Sequence, residues 1–422
     1  MTGRRSRHPH RFPLTTLTPP AFGGVNFRFA TLPQQLYISQ GSVLEGFNSA
    51  AAWTVINGNT PTDDTTNFRE GAQSIKLDTT GAGTNKIDRT ITALDLSSSE
   101  WFDFWTYSYN AVLTEGITVF FNSSTTGWTK YFQTTLNPAA FIGWQMHRLA
   151  RSNFQAQGGM TWDTPIVKIR IQIYNTVPRN PIISFDDFRY NVTAYPACCF
   201  TFDDGRPSNH SFVLPHLNKH NMVATVYVVG NQIGGGGLTA SQLQDLVDAG
   251  WAVSNHSQTH AQFTALTQAE IEAELNNCVA AMDTAGVTGH VADLHAAYPY
   301  GSYDDETEAA LAAVSMATGR TITAGLTFIP GAIWYRLPCY SLQATVSLAT
   351  AKSWADYALT RRGIVIFYTH NIVEGTPTGY DWGRSDFEAL VDYCTNIGLY
   401  SLTIDEIYKL NSSSLSVRIP EA

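Results

Sequence analysis

The sequence predicts a multidomain protein in which an all-β sandwich is followed by an α/β unit built on a largely parallel sheet or barrel. Short alternating runs separated by Gly-, Asn- and Thr-rich turns fill the first half, which is typical of an antiparallel sandwich. From about residue 194, apolar strands alternate with well-capped helices. In addition, 422 residues exceed what one typical core accommodates, so two or more domains are expected.

These textures divide the chain into four segments. Residues 1–36 are rich in Pro, Thr and Arg and are predicted to form a flexible arm. The sandwich is assigned to 37–193 and the α/β unit to 194–412, and a short tail occupies 413–422.

The sandwich is predicted from runs of alternating polarity. They lie at 73–77, 117–121, 167–173 and 183–185. Six of the ten tryptophans fall in this half: Trp53, Trp101, Trp105, Trp128, Trp144 and Trp162. Trp53, Trp101, Trp105 and Trp144, each taken singly, are expected to fill the core, and the alternative is an exposed ring that stacks on a sugar.

The α/β unit is predicted from strands at 197–201, 223–229, 251–254, 320–324 and 363–368. The helices between them are announced by capping boxes, in which a Ser or Thr precedes a Glu or Gln by three residues. The four boxes begin at Thr239, Thr267, Ser385 and Thr403. In such a fold, functional residues gather at the carboxyl ends of the strands.

The composition limits the classes of binding partner that we expect. The net charge is −9 without a long basic run, so nucleic acid is not expected to bind. No apolar run approaches the roughly 18 residues of a membrane span, so no membrane partner is expected. The basic N-terminus lacks the apolar core of a secretory signal, so action outside the producing cell requires another route. The five cysteines are expected to be buried free thiols.

Four short motifs in the second half carry the chemistry. They are TFDDG at 201–205, HSQTH at 256–260, YPYG at 298–301 and YTH at 368–370. They supply Asp204, His256 and His260, one carboxylate and two imidazoles, a ligand set suited to zinc or a similar divalent ion. Three protein ligands leave one coordination position open, as a catalytic metal site requires.

Asp203 and His370 then remain as a spare acid and base. A divalent ion lowers the pKa of its bound water, and hydrolysis of an amide or ester also needs one group to accept the water's proton and another to protonate the leaving group. Asp203 adjoins a predicted ligand, whereas His370 follows another strand. A backbone N–H in the tight turn at Tyr300 is a candidate donor to the oxyanion. The set predicts hydrolysis by a metal-activated water.

A second HxxxH pair, His216 and His220, lies in a helical segment. It has no companion Asp motif in the sequence and is interpreted as a solvated helix edge.

The four motifs, in this order, resemble the polysaccharide deacetylase family, also known as the NodB homology domain or carbohydrate esterase family 4. The resemblance covers about 194–410. It implies a distorted (β/α) barrel of the NodB type that removes N- or O-acetyl groups from sugars. It further implies zinc, with cobalt or nickel as alternatives, on Asp204, His256 and His260. Asp203 would be the general base, His370 the general acid and Tyr300 the backbone oxyanion donor.

Two positions depart from the family pattern. The arginine that often lies three residues before the tyrosine of the third motif is replaced by Ala297, and the leucine two residues before the final histidine is replaced by Tyr368. The fourth motif is expected within 320–342, with Trp334 and Arg336 as candidates.

The first half resembles a carbohydrate-binding-module-like jelly roll more loosely. The resemblance rests on the text at 44–53, 70–78, 94–105 and 183–190. It implies a sandwich that binds sugar or serves as a spacer.

The sequence therefore favours a metal-dependent deacetylase acting on an acetylated polysaccharide. The main alternative is a glycan-binding attachment protein whose deacetylase domain is degenerate, and a further one is an enzyme of the same fold that acts on a small amide. A glycan-acting domain behind a basic arm resembles bacteriophage tail or spike enzymes, which indicates association with a virion. The sequence specifies no oligomeric state.

Overall fold

The structure is a computed structural model. It describes residues 35–36, 41–81, 83–110, 116–136, 142–174, 180–192, 194, 196–329, 332–410 and 417–418. The predicted arm and tail therefore lie almost wholly outside the described residues, apart from two short strands, 35–36 and 417–418, which pair antiparallel with each other.

The first half of the chain consists of short strands. In chain order they are β1 (Gln35–Leu36), β2 (Ser42–Glu45), β3 (Thr54–Asn57), β4 (Thr62–Asp64), β5 (Ser74–Asp78), β6 (Asn85–Leu94), β7 (Trp101–Ser108), β8 (Ile117–Asn122), β9 (Tyr131–Leu136), β10 (Gly143–Ala150), β11 (Gln155–Gln157), β12 (Ile166–Ile173) and β13 (Ile182–Tyr190). β2 to β13 form two six-stranded antiparallel sheets. One has the order β10-β7-β13-β5-β4, with β2 also on β13, and the other has the order β11-β9-β8-β12-β6-β3.

The two sheets bury one apolar core between them. Phe102 of β7 lies 5.6 Å from Phe121 of β8, measured between ring centroids, and Phe121 is equally far from Phe188 of β13. Alternating strands with one apolar face each pack in this way because every second side chain points inward. This packing confirms a sandwich, and its jelly-roll winding stays a prediction.

The tryptophans of the sandwich are not exposed. Trp53 and Trp105 are buried and the other four are half-buried. Trp128 is covered by the Arg170 guanidinium, 3.9 Å from its ring centroid. Of the four rings predicted to fill the core, Trp53 and Trp105 are buried and Trp101 and Trp144 are half-buried, and none of the six is an exposed stacking platform.

The second half is built on a nine-stranded, mostly parallel sheet. Its nine strands are β14 (Ala197–Phe202), β15 (Ala224–Val228), β16 (Ala252–Asn255), β17 (His295–Ala297), β18 (Thr318–Arg320), β19 (Leu326–Thr327), β20 (Tyr340–Ser341), β21 (Ile364–Thr369) and β24 (Tyr400–Ser401). A small separate pair consists of β22 (Ile372–Val373) and β23 (Trp382–Gly383), and the last strand, β25 (Val417–Arg418), is the partner of β1. The main order is β18-β17-β16-β15-β14-β21-β19, with β20 on β21 and β24 on β14, and β22 pairs with β23. Only β19 is antiparallel to its neighbour in this sheet as described.

A short segment links the two ends of the parallel order. Leu337 forms a parallel bridge with Arg320, and the Cys339 N–H donates to the Thr323 carbonyl at 2.8 Å. The following residues, β20, then pair with β21. Hydrogen bonding therefore continues from β18 back to β21, which fits the predicted distorted barrel.

Seven helices surround this sheet in the described part of the chain. They are α1 (Leu214–Lys219), α2 (Ala240–Asp248), α3 (Gln268–Thr284), α4 (Asp305–Ala313), α5 (Leu348–Arg361), α6 (Arg384–Asn396) and α7 (Ile404–Leu410). The capping boxes at Thr239, Thr267 and Thr403 are confirmed. None of these helices is long and apolar enough to cross a membrane.

Two local predictions were wrong. No capping box forms at Ser385, because α6 begins one residue earlier and Glu388 instead accepts a hydrogen bond from Arg384 Nε at 2.8 Å. The strand predicted at 320–324 lies at Thr318–Arg320, since these residues are buried whereas 322–324 are exposed. The five cysteines are free and buried, as predicted.

A buried arginine joins the sandwich to the barrel. Arg148 of β10 makes a two-pronged ion pair with Asp103 of β7, with both N–O distances 2.8 Å. Two of its other three N–H groups donate to the carbonyls of Arg362 and Ile329 in the barrel. Because the Arg148 guanidinium binds Asp103 in the sandwich and two carbonyls in the barrel at once, it holds the two halves against each other.

Candidate active site

The carboxyl ends of three strands of the parallel sheet bring the predicted residues together. Asp203 directly follows β14, His256 follows β16 and His370 follows β21. The Asp203 N–H donates to the Thr369 carbonyl at 2.9 Å, which ties the first of these strand ends to the third. The sequence motifs are separated by up to about 170 residues, and the parallel sheet places them at one edge.

Four residues of these motifs adopt left-handed backbone conformations although none is glycine. Asp204 has φ 67°, Ser257 φ 66°, His260 φ 62° and Tyr300 φ 60°. Each such residue costs on the order of 1 kcal/mol or more and persists only where the surroundings hold it. Because four such residues cluster at this edge of the barrel, the backbone here is held in unfavourable conformations that set the directions of the side chains.

Asp204, His256 and His260 converge on one point. Asp204 Oδ1 lies 3.6 Å from His256 Nε2 and 3.5 Å from His260 Nε2. These separations exceed hydrogen-bond lengths, and Asp204 Oδ1 is buried without a hydrogen-bond partner. Tetrahedral ligands about 2.0–2.2 Å from a metal lie about 3.3–3.6 Å from one another. The three residues therefore fit a divalent ion.

The hydrogen bonds behind the triad set the imidazole tautomer. His256 Nδ1 lies 2.9 Å from the Ala297 carbonyl, which only accepts, so Nδ1 carries the proton and Nε2 offers a lone pair. Burial lowers the pKa of His256 to about 4, which keeps this lone pair available. The backbone N–H of His260 donates to Ser257 Oγ at 2.8 Å, and this hydrogen bond holds the turn that carries the second imidazole.

Asp203 is held by an arginine that the sequence analysis did not single out. Arg320, the last residue of β18, places Nη2 at 2.6 and 2.5 Å from the two Asp203 carboxylate oxygens, and both side chains are almost fully buried. Burial alone raises the pKa of Asp203, but the positive charge of Arg320, supported by His256 and His370, outweighs it and holds that pKa below its usual value. Asp203 is therefore kept as a carboxylate.

The two fourth-motif candidates lie away from this site. Arg336 pairs with Glu308, and the Trp334 ring packs against the Tyr408 ring at 5.1 Å. Arg320 was the first residue of the segment expected to contain the motif, and a charged residue in an apolar predicted strand was the available signal.

His370 and Tyr300 both line the cleft above the triad. His370 Nδ1 is buried without a hydrogen-bond partner, and the His370 ring lies 5.3 Å from the Tyr380 ring. The Tyr300 side chain is 65% exposed and its ring lies 4.6 Å from that of His260. Both therefore face space that a substrate can enter.

A cleft of about 490 Å³ opens above the triad. Besides the predicted residues, it is lined by Arg206, Ile322, Tyr380 and Asp381, which the sequence analysis missed. Arg206 Nη2 lies 2.8 Å from Asp204 Oδ2 and is half-exposed, so it neutralises the carboxylate oxygen that faces away from the imidazoles. These residues come from loops, where no motif marks them.

Comparison with known proteins agrees with the motifs. Residues 191–319 match the polysaccharide deacetylase family model. A putative polysaccharide deacetylase, YxkH, of Bacillus subtilis is 30% identical over 108 residues, which are 25% of this chain and 38% of the relative. A bifunctional xylanase/deacetylase of Pseudobutyrivibrio xylanivorans is 36% identical over 88 residues, or 21% of this chain and 14% of the relative. The chain thus spans less than two fifths of either relative.

Solved structures with a similar fold include a family 4 carbohydrate esterase from Streptomyces lividans in complex with acetate. It has a TM-score of 0.35 and 21% identity, over 50% of this chain and 93% of that one. The Xyl-CE4 domain of a xylanase from the Trinervitermes trinervoides hindgut metagenome has a TM-score of 0.37 and 18% identity, over 51% and 90%. From the family match, residues 191–319 form part of a polysaccharide deacetylase, or NodB homology, domain.

Proposed function

We propose that this protein is a metal-dependent deacetylase that removes N- or O-acetyl groups from a polysaccharide. One observation carries the proposal: a carboxylate held ionised by Arg320 adjoins the Asp204–His256–His260 triad at the floor of an open cleft. The family match supports the same class of reaction. When bound, a divalent ion such as zinc would polarise the acetyl carbonyl and make water a better nucleophile at neutral pH.

The residues of this chain divide the proton transfers between them. Asp203, kept as a carboxylate by Arg320, is proposed to accept the proton of the attacking water. The water oxygen adds to the acetyl carbon, and the backbone N–H of Tyr300 is proposed to donate to the resulting oxyanion. His370 is proposed to protonate the sugar nitrogen or oxygen as its bond to the acetyl carbon breaks. The products are acetate and a free amine or hydroxyl.

Arg320 also bears on the alternative of a degenerate, glycan-binding domain. The absence of an arginine at Ala297 motivated that alternative, and Arg320 supplies the missing positive charge to Asp203. The observation supports an active enzyme over a binder.

Acetate release from a panel of acetylated glycans tests the proposal directly. The native chain should release acetate from at least one polysaccharide, lose this activity after chelation and regain it with zinc, cobalt or nickel. Binding of an acetylated glycan with no acetate released under any of these metals would favour the attachment-protein alternative. Release only from small amides would favour the other.

A further inference from the structure

A second cluster of metal-ligating side chains lies on the outside of the barrel. His216 and His220 are one turn apart on α1 and its C-terminal cap, and Asp392 faces them from α6. Asp392 Oδ1 lies 3.2 Å from His216 Nε2 and 2.9 Å from His220 Nε2. The interpretation of the HxxxH pair as a solvated helix edge was therefore wrong. Its companion carboxylate is far away in sequence, and His216 is only 7% exposed.

Thr395 lies on the far side of His220. Its hydroxyl donates to the Val391 carbonyl at 3.0 Å, the usual back-bond within a helix, and its oxygen lies 3.4 Å from His220 Nδ1. A neutral His220 with its proton on Nδ1 can donate to this oxygen, and it then presents the Nε2 lone pair toward Asp392. In that tautomer a cation between His220 Nε2 and Asp392 Oδ1 would bind both atoms.

A single cation can satisfy all three ligands at once. The three ligand atoms lie within 4.8 Å of one another, and both imidazoles share one carboxylate oxygen. The two imidazole rings lie with centroids 5.2 Å apart, and Glu388, which accepts from Arg384, lies 3.9 Å from His216 Nδ1. A divalent ion would bind both Nε2 atoms and the shared carboxylate oxygen, in place of the protons that neutral rings otherwise donate to it.

We propose that His216, His220 and Asp392 form a second divalent metal site, distinct from the triad in the cleft. Two imidazole nitrogens and one carboxylate oxygen favour zinc, nickel, cobalt or copper over magnesium or calcium. Asp392 is about half-exposed, so solvent can reach the ion and complete its coordination.

The site joins two helices that flank the proposed catalytic strands. α1 follows the turn after β14, and α6 follows β21 and the short β22–β23 pair. The same two segments already meet where Ser208 Oγ donates to Asn371 Oδ1 at 2.5 Å. An ion between α1 and α6 would therefore strengthen an existing contact and stabilise the fold. This role does not depend on the proposed deacetylase activity.

Zinc content after chelation, reloading and gel filtration tests the site. The native full chain should hold about two equivalents, and His220→Ala and Asp392→Asn should each hold about one. His290→Ala is the matched control, because His290 lies 3.1 Å from Asp283 with no third ligand within the described residues, and it should keep about two. His220→Ala and Asp392→Asn that retain as much zinc as the native chain would overturn the proposal.

Thermal unfolding gives a second readout that does not involve the cleft. In a His256→Ala background, zinc should still raise the melting temperature, and adding His220→Ala should abolish the rise. His220 is a partly exposed side chain at a helix end, so this change should leave the fold intact when checked by circular dichroism without metal. An equal zinc-dependent rise in both variants would also overturn the site.

Discussion

Ala297 at the end of β17 and Arg320 at the end of β18 are register partners in the parallel sheet. Ala297 occupies the position where the family often has an arginine, and Arg320 reaches Asp203 from one strand further along. The positive charge beside the proposed base is thus present, but it comes from another strand. Arg320 acts through Asp203 and is a positioning residue.

Arg320→Ala should lower acetate release by about 10–100-fold, as the loss of an orienting partner usually does. It should also reduce the free energy of unfolding by about 3–5 kcal/mol, since Asp203 is left buried and unpaired. Arg320→Lys keeps the charge and should recover part of both losses. Denaturant titration and acetate assays measure the two effects.

Placing an arginine at position 297, where the family often has it, tests whether Arg320 takes over that role. Ala297 is fully buried, so Ala297→Arg alone should overpack the site and destabilise the protein. In combination with Arg320→Ala the new side chain has the vacated space, and the double variant should release more acetate than Arg320→Ala. A double variant no better than the single one would contradict the idea that position 320 substitutes for position 297.

This pair also shows what the sequence could and could not predict. Asp203, His256 and His370 follow recognisable apolar strands, so their approach to one sheet edge was predictable from local pattern. The role of Arg320 depends on which strand lies beside β17 and on the register between the two strands, and no short segment of the sequence determines either. The same holds for Asp392, which meets His216 from a helix 176 residues away.

Substitutions at the two proposed metal sites should have different effects on zinc content and on acetate release. His256→Ala removes a buried ligand whose other ring nitrogen is anchored on Ala297, so it should lose about one equivalent of zinc together with nearly all acetate release. His220→Ala should lose the other equivalent and keep acetate release near that of the native chain. Metal analysis and acetate assays on the same preparations check both, and full zinc retention by His256→Ala would contradict the triad.

Asp203→Asn and His370→Ala should keep the metal but lose activity. Neither residue is proposed as a ligand, and general acid–base groups typically contribute about 10²–10⁴-fold. Acetate release should therefore fall by about 100-fold or more in each variant. His370→Ala should lose the most activity on amides, because their amine leaving groups are poor. A His370→Ala variant equally impaired on activated esters and amides would argue against its role as the acid.

His147 should make stability depend on pH. It lies in β10 beside the barrel, its Nε2 is 2.8 Å from the Thr106 hydroxyl, and burial together with the charge of Arg361 lowers its pKa to about 3. In the unfolded chain the pKa is about 6.5, so between these values the unfolded state binds the extra proton and stability falls as the pH falls.

Urea midpoints at pH 7 and pH 5 measure this contribution. The native protein should lose about 1–2 kcal/mol more than His147→Gln over this interval. His290→Gln changes a histidine that pairs with the exposed Asp283, and this control should behave as the native chain does. Equal losses in the native chain and His147→Gln would contradict an imidazole that is neutral in the folded protein.

The sandwich should fold without the barrel. Its core cluster, from Leu44 to Phe188, contains apolar side chains of the sandwich strands and the turns between them and none from the barrel among the described residues. Two sheets that bury each other in this way supply an independent core. A chain truncated near Asn191 should therefore show a cooperative thermal transition. Because truncation exposes Arg148 and removes its contacts with the Arg362 and Ile329 carbonyls, the transition should lie below that of the full chain. A truncated chain with no cooperative transition at all would place the domain boundary elsewhere.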